Sequence, residues 1–124
     1  MTVPHILTLD QQVQLAEALV QAGADIIRTE GGTSSKATHA GTLGLIEKAA
    51  PTLAATFEIS RAVSIPVLCA SGISNVTAPL AIAAGAAGVG VGSAINQLNS
   101  EIAMIASVRS LVESLSHAPL IPRF

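Results

Sequence analysis

The sequence has very few aromatic residues, few charges and a single cysteine. Only Phe57 and Phe124 are aromatic, so the apolar half of the chain consists chiefly of alanine, valine, isoleucine and leucine. Side chains of this kind suit strands and helices that pack closely in layers. The lone Cys69 cannot form an internal disulfide, which indicates a reducing compartment such as the cytosol.

Charge is scarce and nearly balanced. Six basic residues stand against eight acidic ones in 124 residues, and no basic run occurs. This distribution excludes the electrostatic footprint of a nucleic-acid-binding protein. No group of histidine, cysteine and carboxylate residues has the spacing of metal ligands, so no metal site is expected.

A long uncharged stretch, between Arg61 and Glu101, raises the question of a membrane span. Residues 76–95 have the length to cross a bilayer, but they contain Pro79, four glycines and few large side chains. A buried strand with flanking helices explains these residues better. The first residues also lack a basic region followed by an apolar core. We therefore expect neither a membrane partner nor a secretory signal peptide.

Strands and helices alternate along the chain. Thr8 and Gln11 form a capping-box signature for a helix that ends at Gly23. Short apolar or β-branched runs predict strands at 24–28, 65–70 and 88–91, and a further strand at 2–6 precedes the first helix. Helices are predicted over 43–63, either continuous or broken near Pro51, from Ser74 or Asn75 to Gly85, and over 93–98.

Two predicted helices carry candidate buried residues. In the helix over 43–63 these are Leu53, Phe57 and Val63. The final helix begins after Asn99 or Ser100 as its cap and runs to about residue 115. Its apolar residues recur every three or four positions, as expected of a buried stripe: Leu98, Ile102, Ile105, Val108, Val112 and Leu115.

An internal repeat suggests how these units assemble. A shift of 62 residues places Pro4 on Pro66, Ala16 on Ala78 and the segment 22–24 on 84–86. The repeated unit is strand–helix–strand, which requires parallel strands joined by right-handed crossovers. A complete (β/α)8 barrel takes about 250 residues. We therefore predict an α/β fold that is the C-terminal half of a (β/α)8 TIM barrel, over 1–116, with a loose tail at 117–124.

Glycine turns follow the last two predicted strands. Gly72 and Ile73 follow one strand, and Gly92 and Ser93 follow the other, each before a helix start. In (β/α)8 barrels the loops after the last two strands often bind phosphate, because glycine lets the backbone approach and free N–H groups donate. The alternative is that these glycines serve only close helix–strand packing. The G-x-G-x-x-G spacing of a dinucleotide fold is absent.

Candidate catalytic groups lie beside these turns. Glu30 directly follows a strand, at the end of the barrel where active sites lie, and His5 follows another strand. Both are therefore candidates for acid–base catalysis. Glu30 could instead pair with Arg28, and His5 could be structural. Cys69 is interpreted as a small buried hydrophobe. The loop after Glu30 supplies possible ligand contacts: Gly31, Gly32, Thr33, Lys36 and His39.

Two long stretches resemble a known family. EGGTSSKATHAGTLGLIEKAAPTLAATFEISRAV (30–63) and PVLCASGISNVTAPLAIAAGAAGVGVGSAINQLNSEIAMIASVRSLVE (66–113) are similar to the hypothetical chloroplast reading frame twenty-three family of cyanobacteria and plastids. That family has no established biochemical function, and no catalytic residues can be carried over. The resemblance implies an aldolase-type barrel of which this chain matches the C-terminal portion, in the cyanobacterial cytoplasm or the plastid stroma. The last strand and helix also resemble the phosphate loops of thiamine phosphate synthase-like and flavin-binding barrels.

Two functions follow from these observations. The first is a barrel end that binds a phosphorylated small molecule or FMN. The second is a non-catalytic half barrel that is a fragment or associates with itself to cover open edges and apolar faces.

Overall fold

A computed structural model describes residues 1–31 and 39–116. Gly32, Thr33, Lys36 and the predicted tail at 117–124 lie outside the described residues. The order of the elements alternates helix and strand as far as β3: α1 Leu9–Gln21, β1 Ile27–Arg28, α2 Gly41–Ala62, β2 Val67–Ala70, α3 Ala78–Ala83, β3 Gly88–Gly90, α4 Ser93–Asn96 and α5 Glu101–Ser116.

The three strands form one parallel sheet in the order β1-β2-β3. Thr2 adds a parallel bridge to Arg28 on the free side of β1, supported by hydrogen bonds between Val3 and Arg28 and between Arg28 and Met1. The strand predicted over 2–6 is therefore reduced to this bridge. The chain is α/β, and its parallel segments lie side by side in the order in which they occur in the sequence.

The helices pack against one another in chain order. α1 contacts α2, α2 contacts α3, and α3 contacts α5. Two apolar clusters fill the space between these helices and the sheet. The first consists of Val3, Ala16, Ile27, Ala55, Ile59, Val63 and Val67. The second consists of Ala49, Cys69, Ile73, Ala78, Ala81, Ala86 and Leu111. Because consecutive helices are neighbours and share this interior, they cover one face of the sheet.

Helix ends follow the predicted signals closely. Thr8 and Gln11 bond reciprocally, each side chain to the other's backbone N–H, which confirms the capping box at the start of α1. Gly23 and Gly85 follow α1 and α3 with φ of 102° and 114°, conformations that favour glycine. The Ser100 hydroxyl accepts from the Ala103 N–H, so Ser100 rather than Asn99 caps α5.

For the helix over 43–63 the continuous alternative is the one observed, and two other expectations about helices are wrong in detail. α2 continues without interruption through Pro51, because the flanking residues Ala49, Thr52 and Ala55 are buried and hold both halves in place. Phe57 is 42% exposed rather than buried, and the Arg61 guanidinium lies 4.0 Å from its ring centroid. α3 starts after a turn, with Thr77 rather than Ser74 or Asn75 at its N-cap position.

The apolar stripe of α5 is the main departure from the predicted core. Ile102 is 82% exposed and Val112 is 60% exposed, and Ile105 and Val108 are also exposed. Leu111 is the buried residue of this helix and packs in the second cluster. The stripe is therefore an apolar surface on the outside of the described fold.

Among the helices of the described ranges, none is long and apolar enough to cross a membrane.

Candidate functional site

The predicted site residues follow the carboxyl ends of the parallel strands. Glu30 lies two residues beyond β1, Gly72 two beyond β2 and Gly92 two beyond β3. Because Ala70 pairs with Gly90, the turns that contain Gly72 and Gly92 leave neighbouring strands at the same level. The parallel sheet therefore brings all three segments to one edge.

The sheet face opposite the helices leads to this edge. Ile27, Val67 and Cys69 are buried towards the helices, so the alternating positions Arg28, Leu68 and Ala70 lie on the other face. Thr2, Arg28, Leu68 and Gly88 form one row across the sheet by their register. A cleft of about 300 Å³ lies at the end of this face and is lined by Thr2, Arg28, Thr29, Glu30 and Ser71.

His5 and Glu30, the two candidate acid–base residues, are in direct contact. The Glu30 Oε2 atom is 3.1 Å from His5 Nδ1 and accepts from the His5 backbone N–H at 3.0 Å. These hydrogen bonds from the His5 side chain and backbone hold the pKa of Glu30 below the ordinary value of 4.5, and the charge of Arg28 adds a weaker attraction. The Glu30 partner is therefore His5. Within residues 1–31 and 39–116, Arg28 makes no ion pair with Glu30.

The turn after β2 has an unusual backbone. Ser71 and Gly72 have φ of 77° and 75°, so two successive residues occupy the left-handed region. A Cβ atom at Gly72 would lie 2.7 Å from the Lys48 carbonyl oxygen of α2. In the described part of the chain, the backbone N–H groups of Gly72 and Ile73 donate to no protein acceptor. Two backbone N–H donors without a protein acceptor among the described residues therefore belong to this turn.

The turn after β3 is more open. A Cβ atom at Gly92 would meet no atom within 4 Å, and Gly92 is not in the left-handed region. The Gly92 carbonyl accepts from Ile95 and Asn96, which begins α4 at Ser93. α4 ends at Asn96, two residues before the predicted end.

The loop after Glu30 is described at Gly31 and again from His39. Gly31 is buried, and a Cβ atom there would lie 3.4 Å from the Ser71 carbonyl and hydroxyl oxygens. The structure therefore brings Glu30, His5, Gly31 and Ser71 together. Gly32, Thr33 and Lys36 lie outside the described residues, and His39, the remaining candidate loop contact, pairs with Glu47 away from the cleft.

A buried cluster of threonines beneath the site was missed by sequence reasoning. Thr29 Oγ1 is 2.6 Å from Thr52 Oγ1 and 3.1 Å from Thr56 Oγ1, and all three side chains are fully buried. Thr52 also donates to the Ala70 carbonyl, which immediately precedes the Ser71 turn. The signal that could have revealed the cluster is the spacing of Thr52 and Thr56, one helical turn apart.

Cys69 is fully buried and 3.8 Å from the Thr52 hydroxyl, which fits its interpretation as a small core residue. Among residues 1–31 and 39–116, no three histidine, cysteine or carboxylate residues are grouped so as to hold a metal ion.

Comparison with known proteins gives a family. The model of the family described as "Protein of unknown function (DUF561)" matches residues 1–121. Three proteins described as "Uncharacterized protein ycf23" are similar to the chain. The protein of Porphyra purpurea is 37% identical over 115 residues, which are 93% of this chain and 43% of the relative.

Two further relatives give the same picture. The Pyropia yezoensis protein is 34% identical over 116 residues, 94% of this chain and 42% of the relative. The Cyanophora paradoxa protein is 36% identical over 120 residues, 97% of this chain and 49% of the relative. The chain thus spans about half the length of these relatives. No solved structure matches it. The chain belongs to the DUF561 family of proteins of unknown function.

Proposed function

We propose that the carboxyl edge of this sheet binds a small phosphorylated molecule. The observation that carries the proposal is the polar cleft between Arg28, Glu30 and Ser71. Arg28 lines this cleft and, among the described residues, has no ion-pair partner. A guanidinium group in that position suits an anionic ligand.

Backbone donors would supply the remaining contacts of the phosphate group. The N–H groups of Gly72 and Ile73 come directly after Ser71, which lines the cleft. Gly92 and Ser93 follow the neighbouring strand and would close the site from the other side. Successive N–H groups in a turn with positive φ form a concave anion-binding surface.

The proposed architecture is an aldolase-type (β/α)8 barrel, with this chain as its C-terminal half. Parallel segments in chain order, with the helices on one face, are the arrangement of successive units in such a barrel. The relatives are about twice as long as this chain, which allows for as many units again. By family resemblance, the proposed compartment is the cyanobacterial cytoplasm or the plastid stroma.

The size of the cleft favours a small ligand over FMN. Its volume of about 300 Å³ is at the lower end of the range of ligand sites. Phe57, the aromatic residue of the described chain, lies on the outer side of α2 beside Arg61 and cannot stack on a flavin in this cleft. A phosphate group on a short carbon skeleton therefore suits the described lining of the cleft better than a flavin ring does.

Nuclear magnetic resonance tests this proposal. Inorganic phosphate, glycerol 3-phosphate and FMN are each added to the ¹⁵N-labelled chain while the amide signals of Gly72, Ile73, Gly92 and Ser93 are followed. We expect glycerol 3-phosphate to shift these signals at millimolar concentration and to bind more tightly than FMN. The Arg28→Gln variant should bind about tenfold more weakly, because one charge-assisted contact is lost.

Arg109→Gln on α5 is the matched control and should leave the affinity unchanged. If millimolar glycerol 3-phosphate moves none of the four amide signals, the site does not bind phosphate. If FMN binds more tightly than glycerol 3-phosphate, the argument from the size of the cleft is wrong.

The exposed stripe of α5 favours a second function, that of a non-catalytic half barrel that associates with itself. Ile102, Ile105, Val108 and Val112 together present an apolar surface that monomeric proteins usually cover. Light scattering should then show mass that rises with concentration. Ile102→Glu should reduce it, whereas Ile6→Glu, at a residue equally exposed before α1, should not. A monomer at all concentrations would exclude self-association.

A further inference from the structure

One carboxylate oxygen holds His5 by two contacts. Glu30 Oε2 lies 3.0 Å from the His5 backbone nitrogen and 3.1 Å from its side-chain Nδ1. The first contact fixes the backbone at the rim of the sheet, and the second fixes the plane of the imidazole ring. Together they join the segment after Thr2 to the segment after β1.

This arrangement also determines where the histidine carries its proton. An ionised carboxylate accepts hydrogen bonds and cannot donate them, so Nδ1 must carry the hydrogen. In the neutral ring, Nε2 is then the basic atom. Among the described residues, Nε2 has no hydrogen-bond partner, and the side chain is 35% exposed, so this atom is available to a ligand.

The pair stands beside the proposed binding cleft. Glu30 lines the cleft together with Arg28 and Ser71, and the imidazole of His5 lies against Glu30. A ligand in the cleft would therefore contact Arg28 and Glu30 directly and lie near the imidazole that Glu30 holds.

We propose that His5 is a general base, acting through Nε2 on a small phosphorylated carbonyl or hydroxyl compound, and that Glu30 is its positioning residue. The inference rests on the proposed function, because the phosphate group is what would hold the reacting atom in the cleft.

The step is a proton transfer within the substrate and needs no co-reactant. The C–H bond next to the carbonyl group, or an O–H bond, breaks, and its electron pair stays on the substrate. An N–H bond forms at Nε2, and Glu30 stabilises the resulting imidazolium. Arg28 offers a positive charge to the enolate or alkoxide. The proton then returns to a neighbouring carbon or oxygen, which completes an isomerisation and restores the neutral base.

The chain contains a matched pair outside the cleft. Glu47 Oε1 lies 2.9 Å from His39 Nδ1 and 3.2 Å from the His39 backbone nitrogen, the same two contacts as in the His5 pair. His39 is 60% exposed, and neither residue lines the cleft. A result that is the same for both histidines therefore comes from the contact with a glutamate alone. A result seen only for His5 comes from the position of His5 beside the cleft.

Two measurements on the full chain test the inference. First, ¹⁵N spectra of the imidazole rings should show neutral His5 protonated at Nδ1. In Glu30→Gln, which loses the charge of the acceptor, this preference should fall about tenfold. The His39 signal of the same sample reports whether the fold is intact.

Second, diethyl pyrocarbonate modifies accessible unprotonated imidazole nitrogen, and mass spectrometry of peptides separates His5 from His39. Glycerol 3-phosphate at ten times its Kd should slow modification of His5 about tenfold and leave His39 unchanged. Protection limited to His5, with the Nδ1–H form, supports the inference.

The contrary outcomes differ from one another. A His5 ring protonated at Nε2 overturns the inference, as does equal protection of both histidines. Shifts at Gly72 and Ile73 without protection of His5 overturn it and leave the proposed phosphate site standing. If neither the amide signals nor His5 respond, both the phosphate site and the base are wrong.

Discussion

The two glycine turns at the sheet edge look alike in the sequence but differ in structure. Gly72 has φ of 75°, and a Cβ atom there would lie 2.7 Å from the Lys48 carbonyl oxygen. Gly92 lies outside the left-handed region, and a Cβ atom there would meet nothing within 4 Å. The fold itself requires glycine in the first turn. In the second turn, no contact within the described residues requires it.

This difference separates stability from binding. Glycine at position 72 is explained by the approach of α2 and by backbone conformation. Its replacement should therefore lower the stability of the fold, whether or not a ligand binds at this turn. Glycine at position 92 keeps space open at the sheet edge, so its replacement can test the ligand alone. Substitutions at the two turns should therefore differ in their effect on the free energy of unfolding, with the larger effect at position 72 and the smaller at position 92.

The largest effect is expected for Gly72→Ala. A left-handed alanine costs about 1–2 kcal/mol, and the overlap with the Lys48 carbonyl adds about 1–3 kcal/mol. Gly41→Ala is the matched control, because Gly41 has φ of 71° and no atom within 4 Å of an added Cβ. Urea unfolding of both variants measures the difference. Equal destabilisation would show that the Lys48 contact does not restrict the turn.

A smaller loss is expected for Thr52→Val beneath the same turn. Thr52 bonds to Thr29 and donates to the Ala70 carbonyl, and valine would leave both partners buried without it. The expected cost is about 1–3 kcal/mol. Thr56→Val removes a contact to Thr29 at the far end of the cluster and should cost less. Urea unfolding of both variants measures the difference. If Thr56→Val loses as much stability as Thr52→Val, the hydrogen bond from Thr52 to the Ala70 carbonyl does not stabilise the fold.

The pH dependence of stability should reveal the Glu30 pair. The pKa of Glu30 is lowered in the folded state. The contribution of Glu30 to the free energy of unfolding is therefore complete above the unfolded pKa near 4.5 and is lost as the pH falls through the folded pKa. Because Glu30 is 39% exposed, the contribution is below about 1 kcal/mol.

Urea unfolding between neutral pH and acid should therefore give a steeper loss for the parent than for Glu30→Gln below pH 4.5. Glu17→Gln on the exposed side of α1 is the control and should follow the parent. Identical pH profiles for the parent and Glu30→Gln would show that the carboxylate gains nothing from His5 on folding.

The smallest effect on stability is expected for Gly92→Ala. The added methyl group enters open space without backbone strain, so the free energy of unfolding should change by no more than about 0.5 kcal/mol. Glycerol 3-phosphate binding should nevertheless weaken, because the methyl group fills space near the proposed anion. Thermal unfolding and the amide titration measure the two quantities, and unchanged binding would place the phosphate away from this turn.

Local signals in the sequence predicted the framework well. The Thr8 capping box, the glycine ends at Gly23 and Gly85 and the start of α5 at Ser100 depend on residues within one helical turn, and the structure has them. The prediction that the α5 stripe is buried is wrong, because periodicity identifies the apolar face of a helix but not what covers that face. Strand lengths were overestimated, because pairing depends on neighbouring strands rather than on local composition.

The site could be predicted only as a location. Parallel strands placed Glu30, Gly72 and Gly92 at one edge, and the structure has them there. The contact of Glu30 with His5 rather than Arg28 depends on side chains 25 positions apart, which no spacing rule specifies. The Thr29 cluster and the crowding of Gly72 by Lys48 also arise from the packing of α2 on the sheet. Such contacts exist only once the layers are assembled.

The glycines of β3 have a consequence for motion. Gly88 and Gly90 leave the open face of this three-residue edge strand without side chains, next to Leu68 and Ala70. On this open face β3 itself contributes no side chain that opposes local opening, so the amide hydrogens of β3 should exchange with solvent faster than those of β2. A ligand held by the following turn would have to order this strand as it binds. Part of the binding energy would therefore be spent on ordering, and slower exchange at Val89 and Val91 would record it.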